Sequence, residues 1–141
     1  MRNLELLRAG MVGEGPRAGW QETIGARIAE VEAGRVVVEL DASARHRHEG
    51  GVVQGGIITQ IADAAMGMSL LTQQDEGMAN ITVELKINFM RSVVEGRIRA
   101  IGRVVDMRRT LLFSEADVTD EEGRLVAHAT STCLAVSRTG R

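Results

Sequence analysis

The chain has 141 residues, a net charge of −2, 44% hydrophobic residues and only 2% aromatic ones. That length suits one domain, 1–141, with an aliphatic core of Val, Ile, Leu, Met and Ala. The slight negative charge excludes a protein that grips nucleic acid through a basic surface, and the single cysteine, Cys133, excludes an intrachain disulfide.

The N-terminal part, 1–25, reads as a helix and a loop. Asn3–Ala9 forms a short amphipathic helix with Leu4, Leu6 and Leu7 on its apolar side. No apolar run of signal-peptide length is present there, and none of about 18 uncharged residues anywhere. A cytoplasmic protein with no membrane partner is expected. Gly10–Gly19 is a loop around Pro16, the only proline. Trp20, the only tryptophan, either covers the core edge or lines a pocket, with cover the preferred reading. Ala26–Glu32 and Arg35–Asp41 are two strands joined at Ala33-Gly34, with Val36, Val38 and Leu40 in period-2 alternation. Ser43–Glu49 is a solvated charged loop. Its His46-x-His48 pair has no Cys, Asp or Glu following at ligand spacing, so no metal site is expected.

His48–Gln74 organises the rest. Between Glu49 and Asp75 its only charged side chain is Asp63. Gly55–Leu71 is long enough for a helix of about four or five turns and apolar on nearly all sides, so it is expected to be buried on nearly all sides. Ile58, Ile61, Ala65 and Met68 form one face. Asp63 lies almost opposite, beside Gly56, Thr59, Gln60 and Gly67. A buried lone carboxylate must be paired, hydrogen-bonded or protonated. Gly55-Gly56 lets another group approach the backbone and leaves the helix N-terminal N–H groups pointing outward, a setting for an anion or a developing oxyanion. These are parts for acyl-transfer chemistry.

After the turn Gln73–Gly77, Ile81, Val83, Leu85, Ile87 and Phe89 alternate with polar residues in a strand that contains Thr82. Arg97–Asp106, Leu111–Thr119 and Arg124–Val136 are further strands, separated by turns at Met107–Thr110 and Asp120–Gly123; 137–141 is a polar tail. Cys133 sits in an alternating segment without a base beside it and reads as a buried structural thiol. Lys86 is the only lysine, so arginine supplies 16 of the 17 basic residues. Arg97, Arg99 and Arg103 read as a solvated strand face. Arg108 and Arg109 form a basic pair in a turn, able to bind phosphate groups.

The stretch around Asp63 resembles the signature of hotdog-fold acyl-CoA thioesterases of the phenylacetate-degradation type. That signature is an Asn, six residues later His-Gly-Gly, and an Asp eight residues after the first glycine. Gly55, Gly56 and Asp63 match; Gln54 stands where the family usually has His, and His48 where it usually has Asn. Both replacements still donate a hydrogen bond. The similarity runs to about Val136. It implies an α+β fold, an antiparallel sheet curled around a long central helix. It also implies hydrolysis of an acyl- or aryl-CoA thioester in which coenzyme A is part of the substrate and no cofactor is needed. In that scheme Asp63 is base or nucleophile, the Gly55 N–H polarises the carbonyl, Gln54 and His48 position the thioester or water, and Thr82 sits near the acid. Related enzymes often carry a basic pair in the turn that holds Arg108 and Arg109, and the resemblance implies that these two are ligands for the phosphates of coenzyme A. Asp63 and Gly55 of one site then come from different subunits of a homodimer or homotetramer. An acyl-thioester dehydratase and a non-catalytic acyl-CoA-binding protein are the alternatives on the same fold. Gln54 cannot take up a proton, which weighs against the first and keeps the second open.

Overall fold

The computed structural model describes residues 2–14 and 18–138; Pro16 and residues 139–141 of the tail lie outside them. Helix α1 spans Arg2–Met11 and α2 Gly19–Ile24; strands β1 (Arg27–Glu32) and β2 (Arg35–Ala42) follow, then a single 3-10 turn at Ala44–His46. The long helix α3 covers Gly55–Leu71, as expected. Strands β3 (Met78–Phe89), β4 (Gly96–Met107), β5 (Leu111–Thr119) and β6 (Leu125–Ser137) complete the chain. Helix α2 replaces part of the expected irregular segment around Trp20. It is a short helix closed by Gly25, whose φ of 75° is left-handed and suits glycine.

All six strands form one antiparallel sheet in the order β1-β2-β4-β5-β6-β3. Although β3 precedes β4 in the chain, it crosses to the far side of the sheet and pairs with β6. The sheet thereby curls around α3, which packs on β2, β4 and β5 with one flank and on β3 with the other. This is the hotdog arrangement. Helix α1 packs on the β1 edge, while β3 forms the other edge, with Ile81, Val83 and Phe89 each about half exposed (46%, 57% and 51%).

The sequence of α3 explains its seat. Ile58, Ile61, Ala62, Ala65, Met66, Ser69 and Leu70 are buried against the sheet. Met68, expected among them, is half-buried on the flank, and Met66 takes its place in the core. At Gly102 of β4 the strand backbone meets the helix directly: a Cβ there would collide with the Ala65 carbonyl and the Met66 nitrogen. The C-terminus of α3 is tied down as well. Thr72 Oγ1 donates to Ser69 O (2.6 Å) and accepts the Gly34 N–H (2.8 Å) from the β1–β2 turn.

Arg97, Arg99 and Arg103 belong to an arginine–carboxylate lattice on one sheet face; Arg97 is exposed, as expected, whereas ion pairs leave Arg99 and Arg103 half-buried instead of solvated. Arg99 bridges Glu30 (2.6 Å) and Glu39 (3.1 Å), and Arg103 reaches Asp117 (3.0 Å). The Arg35 hydrogen bond holds the Glu30 carboxyl below its ordinary range, and Arg27 does the same for Asp41. Burial pushes Asp117 up, but hydrogen bonds from His128 and Arg103 outweigh it and leave this carboxyl below its ordinary range too.

Candidate active site

Strand β3 runs antiparallel to α3, with Phe89 over Gly55, Thr82 beside Asp63 and Asn80 over Gly67. A bulge between Thr82 and Glu84 shifts the register with β6. Thr82 faces the helix, and its Oγ1 donates a 2.8 Å hydrogen bond to Asp63 Oδ1. The hydroxyl is half-buried and lines the same cleft as Asp63. Asp63 is half-buried, not enclosed on nearly all sides, because the α3 flank that carries it opens into a cleft.

That cleft holds about 480 Å³ and runs along α3 past Gln60, Asp63, Gly67 and Met68, with Asn80 and Thr82 of β3 opposite. Trp20 lines it while also packing on the core, so the preference for cover alone gives way to both roles. The Asn80 amide is fixed: its Nδ2 donates to Gly67 O (3.0 Å) and to Gln74 Oε1 (2.7 Å). Gly67 leaves room for it, since a Cβ there would stand 3.3 Å from Asn80 Oδ1. Among the described residues, Arg138 is the only cation lining the cleft.

The other expected site residues lie at the start of α3. Gln54 is the N-cap, exposed and without a side-chain cap bond. The N–H of Gly55 points out of the first turn, which has no intrahelical acceptor for it. The Phe89 ring lies over Gly55, 3.1 Å from where a Cβ would stand. His48 is exposed, and its Nδ1 accepts the Gly50 N–H at 2.8 Å. His46 is different: it is buried, its Nδ1 accepts the Ser43 N–H (3.0 Å), and its Nε2 therefore carries the proton donated to Ile24 O (2.7 Å). The histidine pair thus splits between a structural and a solvent-facing residue.

One chain brings Asp63 and Thr82 together but not Gly55, Gln54 or His48 with them. Eight residues of helix separate Gly55 from Asp63, about 12 Å at about 1.5 Å per residue. Arg108 is ion-paired with Asp106 at 2.7 Å, and Arg109 is exposed; neither lines the cleft. Asn80 and Arg138 were not singled out as site residues. The signal for Asn80 was a polar residue near Thr82 in an otherwise alternating strand. Arg138 offered none, lying in the polar tail.

Comparison with known proteins gives a consistent picture. The thioesterase superfamily profile matches residues 50–127. A relative in Saccharolobus solfataricus, SSO2140, is 35% identical over 103 residues, 73% of each chain. The 1,4-dihydroxy-2-naphthoyl-CoA hydrolase of Listeria monocytogenes is 28% identical over 110 residues, 77% of this chain and 88% of that one. Among solved structures, a phenylacetic acid degradation-related protein from Ralstonia eutropha JMP134 superposes with a TM-score of 0.82 at 26% identity, covering 92% of this chain and 98% of that one.

Proposed function

Because the chain belongs to the thioesterase superfamily, we propose that it hydrolyses an acyl- or aryl-CoA thioester to the free acid and CoA. The observation that carries this reading is the Thr82–Asp63 hydrogen bond at the wall of a cleft beside a helix with an open N-terminus. Asp63 serves as general base on water, or attacks the carbonyl to give a mixed anhydride that water then opens. Either role needs one oxygen anchored and one free. Thr82 holds Oδ1, and Oδ2 makes no hydrogen bond among the described residues. The Gly55 N–H, aided by the helix dipole, polarises the thioester carbonyl, and Gln54 and His48 position the thioester or water.

A second copy of the chain completes the site. The exposed apolar edge of β3 invites pairing. Since β3 carries Phe89 over Gly55 and Thr82 beside Asp63, a twofold axis through this edge inverts the strand. The Gly55 end of one copy then meets the Asp63 end of the other. The nucleotide of CoA falls to Arg108 or Arg109. Their turn lies beside the end of β6, where Ala135 donates its N–H to Thr110 O (2.8 Å), and Arg138 extends the same end.

The test is turnover of a panel of aryl and short- to medium-chain CoA esters, read by free-thiol release. Hydrolysis of at least one ester is expected. Binding of several esters with turnover of none would mean a binding protein instead, and enoyl product from a 3-hydroxyacyl thioester would mean a dehydratase.

A further inference from the structure

Behind Asp63 a line of small polar side chains runs into an otherwise aliphatic core. Thr82 Oγ1 lies 3.7 Å from Cys133 Sγ, which in turn lies 3.4 Å from Ser131 Oγ. Cys133 is completely buried and packs with Leu70 and Leu112, and Ser131 is buried beside it. Polar groups placed so deep cost stability unless they are hydrogen-bonded.

The direction of each bond follows from counting protons. Thr82 has one hydroxyl proton, and it goes to Asp63 Oδ1, since an ionised carboxylate only accepts. At the Thr82–Cys133 contact the thiol must then be the donor. With its S–H committed, Cys133 can only accept from Ser131. Every proton in the line points toward the carboxylate, and bonds in such a chain strengthen one another, by about 10–30% each.

We infer that Cys133 is a positioning residue for the proposed hydrolysis, acting through Thr82 to orient the Asp63 carboxylate. The inference rests on the role proposed for Asp63. Arg138 lines the same cleft, but α1 turns Leu4 and Leu7 inward, α2 offers Trp20, and the residues of β2, β4, β5 and β6 buried against α3 are uncharged. On the buried side of Thr82 its hydroxyl meets the Cys133 thiol.

The chain's single cysteine makes the first test direct, because its S–H stretch is a single infrared band. Thr82→Val removes the acceptor at nearly constant shape, and the band should move to higher frequency, as for an unbonded thiol. A band that stays in place overturns the inference. The second test is the acid limb of the pH–rate profile. Cys133→Ala should move that limb up by as much as roughly 0.6 pH unit, the 10–30% share of a hydrogen bond to a charged group. Cys133→Ser, a better donor of similar size, should return it to the wild-type position or below. In a Thr82→Val background, Cys133→Ala should cause no further movement. An acid limb identical in wild type, Cys133→Ala and Cys133→Ser, with only the melting temperature changed, overturns the positioning role. The infrared arm needs no turnover, so a failure of the hydrolase reading and a failure of this one are told apart.

Discussion

Gly55 and Asp63 stand at different levels of one helix, about 12 Å apart, so a carbonyl within hydrogen-bond reach of one is out of reach of the other. The proposed site closes only when a second copy supplies the missing half. Sedimentation at micromolar concentration should therefore show a dimer or tetramer of the 15.2 kDa chain. An active species that sediments only as the monomer would contradict a shared site. A further check mixes two inactive variants, one altered at Asp63 and one at Gly55, unfolded and refolded together. Each mixed dimer regains one intact site, about a quarter of all sites in a random mixture.

Asp63→Asn is nearly isosteric and keeps an acceptor for the Thr82 hydroxyl. The variant should fold normally and bind CoA esters as the wild type does. Its kcat should fall at least ~100-fold, the low end for losing a general base. Turnover within a few-fold of wild type would remove Asp63 from the chemistry.

The oxyanion role of Gly55 can be isolated by a pair of substitutions. Gln54 already has φ −65° and ψ 134°, the conformation that a following proline demands, and Gly55 is the first residue of α3, where proline is tolerated. Gly55→Pro thus removes the N–H with little disturbance to the backbone. Gly55→Ala adds a Cβ against the same half-exposed ring of Phe89 but keeps the N–H. The proline variant should lose roughly 100- to 1000-fold in kcat, and the alanine variant far less. Equal losses would assign the effect to contact with Phe89.

Much of this architecture could be read from residue patterns alone, and the exceptions share a cause. Helix α3 was legible to its ends because a proline-free apolar run bounded by glycines and a polar turn has one local solution. Asp63 stood out as the one charge inside it. The neighbour of β3 was not legible, since strand alternation says which face a residue takes but not which strand lies beside it. Asn80 and Arg138 were missed for the same reason: each enters the cleft through a long-range contact. Helix α2 is too short to stand on propensity and is held by Trp20 and Ile24 packing on the core.

Arg109→Ala tests the nucleotide end. A phosphate contact is the same in ground and transition states, so KM should rise and kcat hold. The effect should shrink with added salt, because the side chain is exposed, and vanish with an N-acetylcysteamine thioester of the same acid. An equal loss on both substrates would mean that the arginine acts through structure. Arg108→Ala carries a second consequence, the release of Asp106, and is the less clean probe.

The ion-paired carboxylates of the arginine-rich face give the folded state an expected acid sensitivity. Glu30, Asp41 and Asp117 all titrate below their ordinary range when folded, through bonds from Arg35, from Arg27, and from His128 and Arg103. A depressed folded value contributes stability that is fully present above the unfolded value, about 4, and is lost as pH falls through the folded value. The melting temperature should therefore be insensitive to these groups from pH 5 to 7 and decline below about pH 4. Replacing Asp117 by Asn should flatten that decline. A decline of unchanged slope would place the acid-sensitive groups elsewhere.

The contact between Gly102 and the Ala65–Met66 peptide puts main chain against main chain, with no layer of side chains between them. Side chains can hop between rotamers and absorb a displacement; a backbone held in a six-stranded ladder cannot. Asp63, half a turn from that contact, is thus surveyed from the sheet's skeleton and not from its padding. Hydrophobic exchanges elsewhere in the core can raise or lower the melting point of this protein while leaving its acid where it stands.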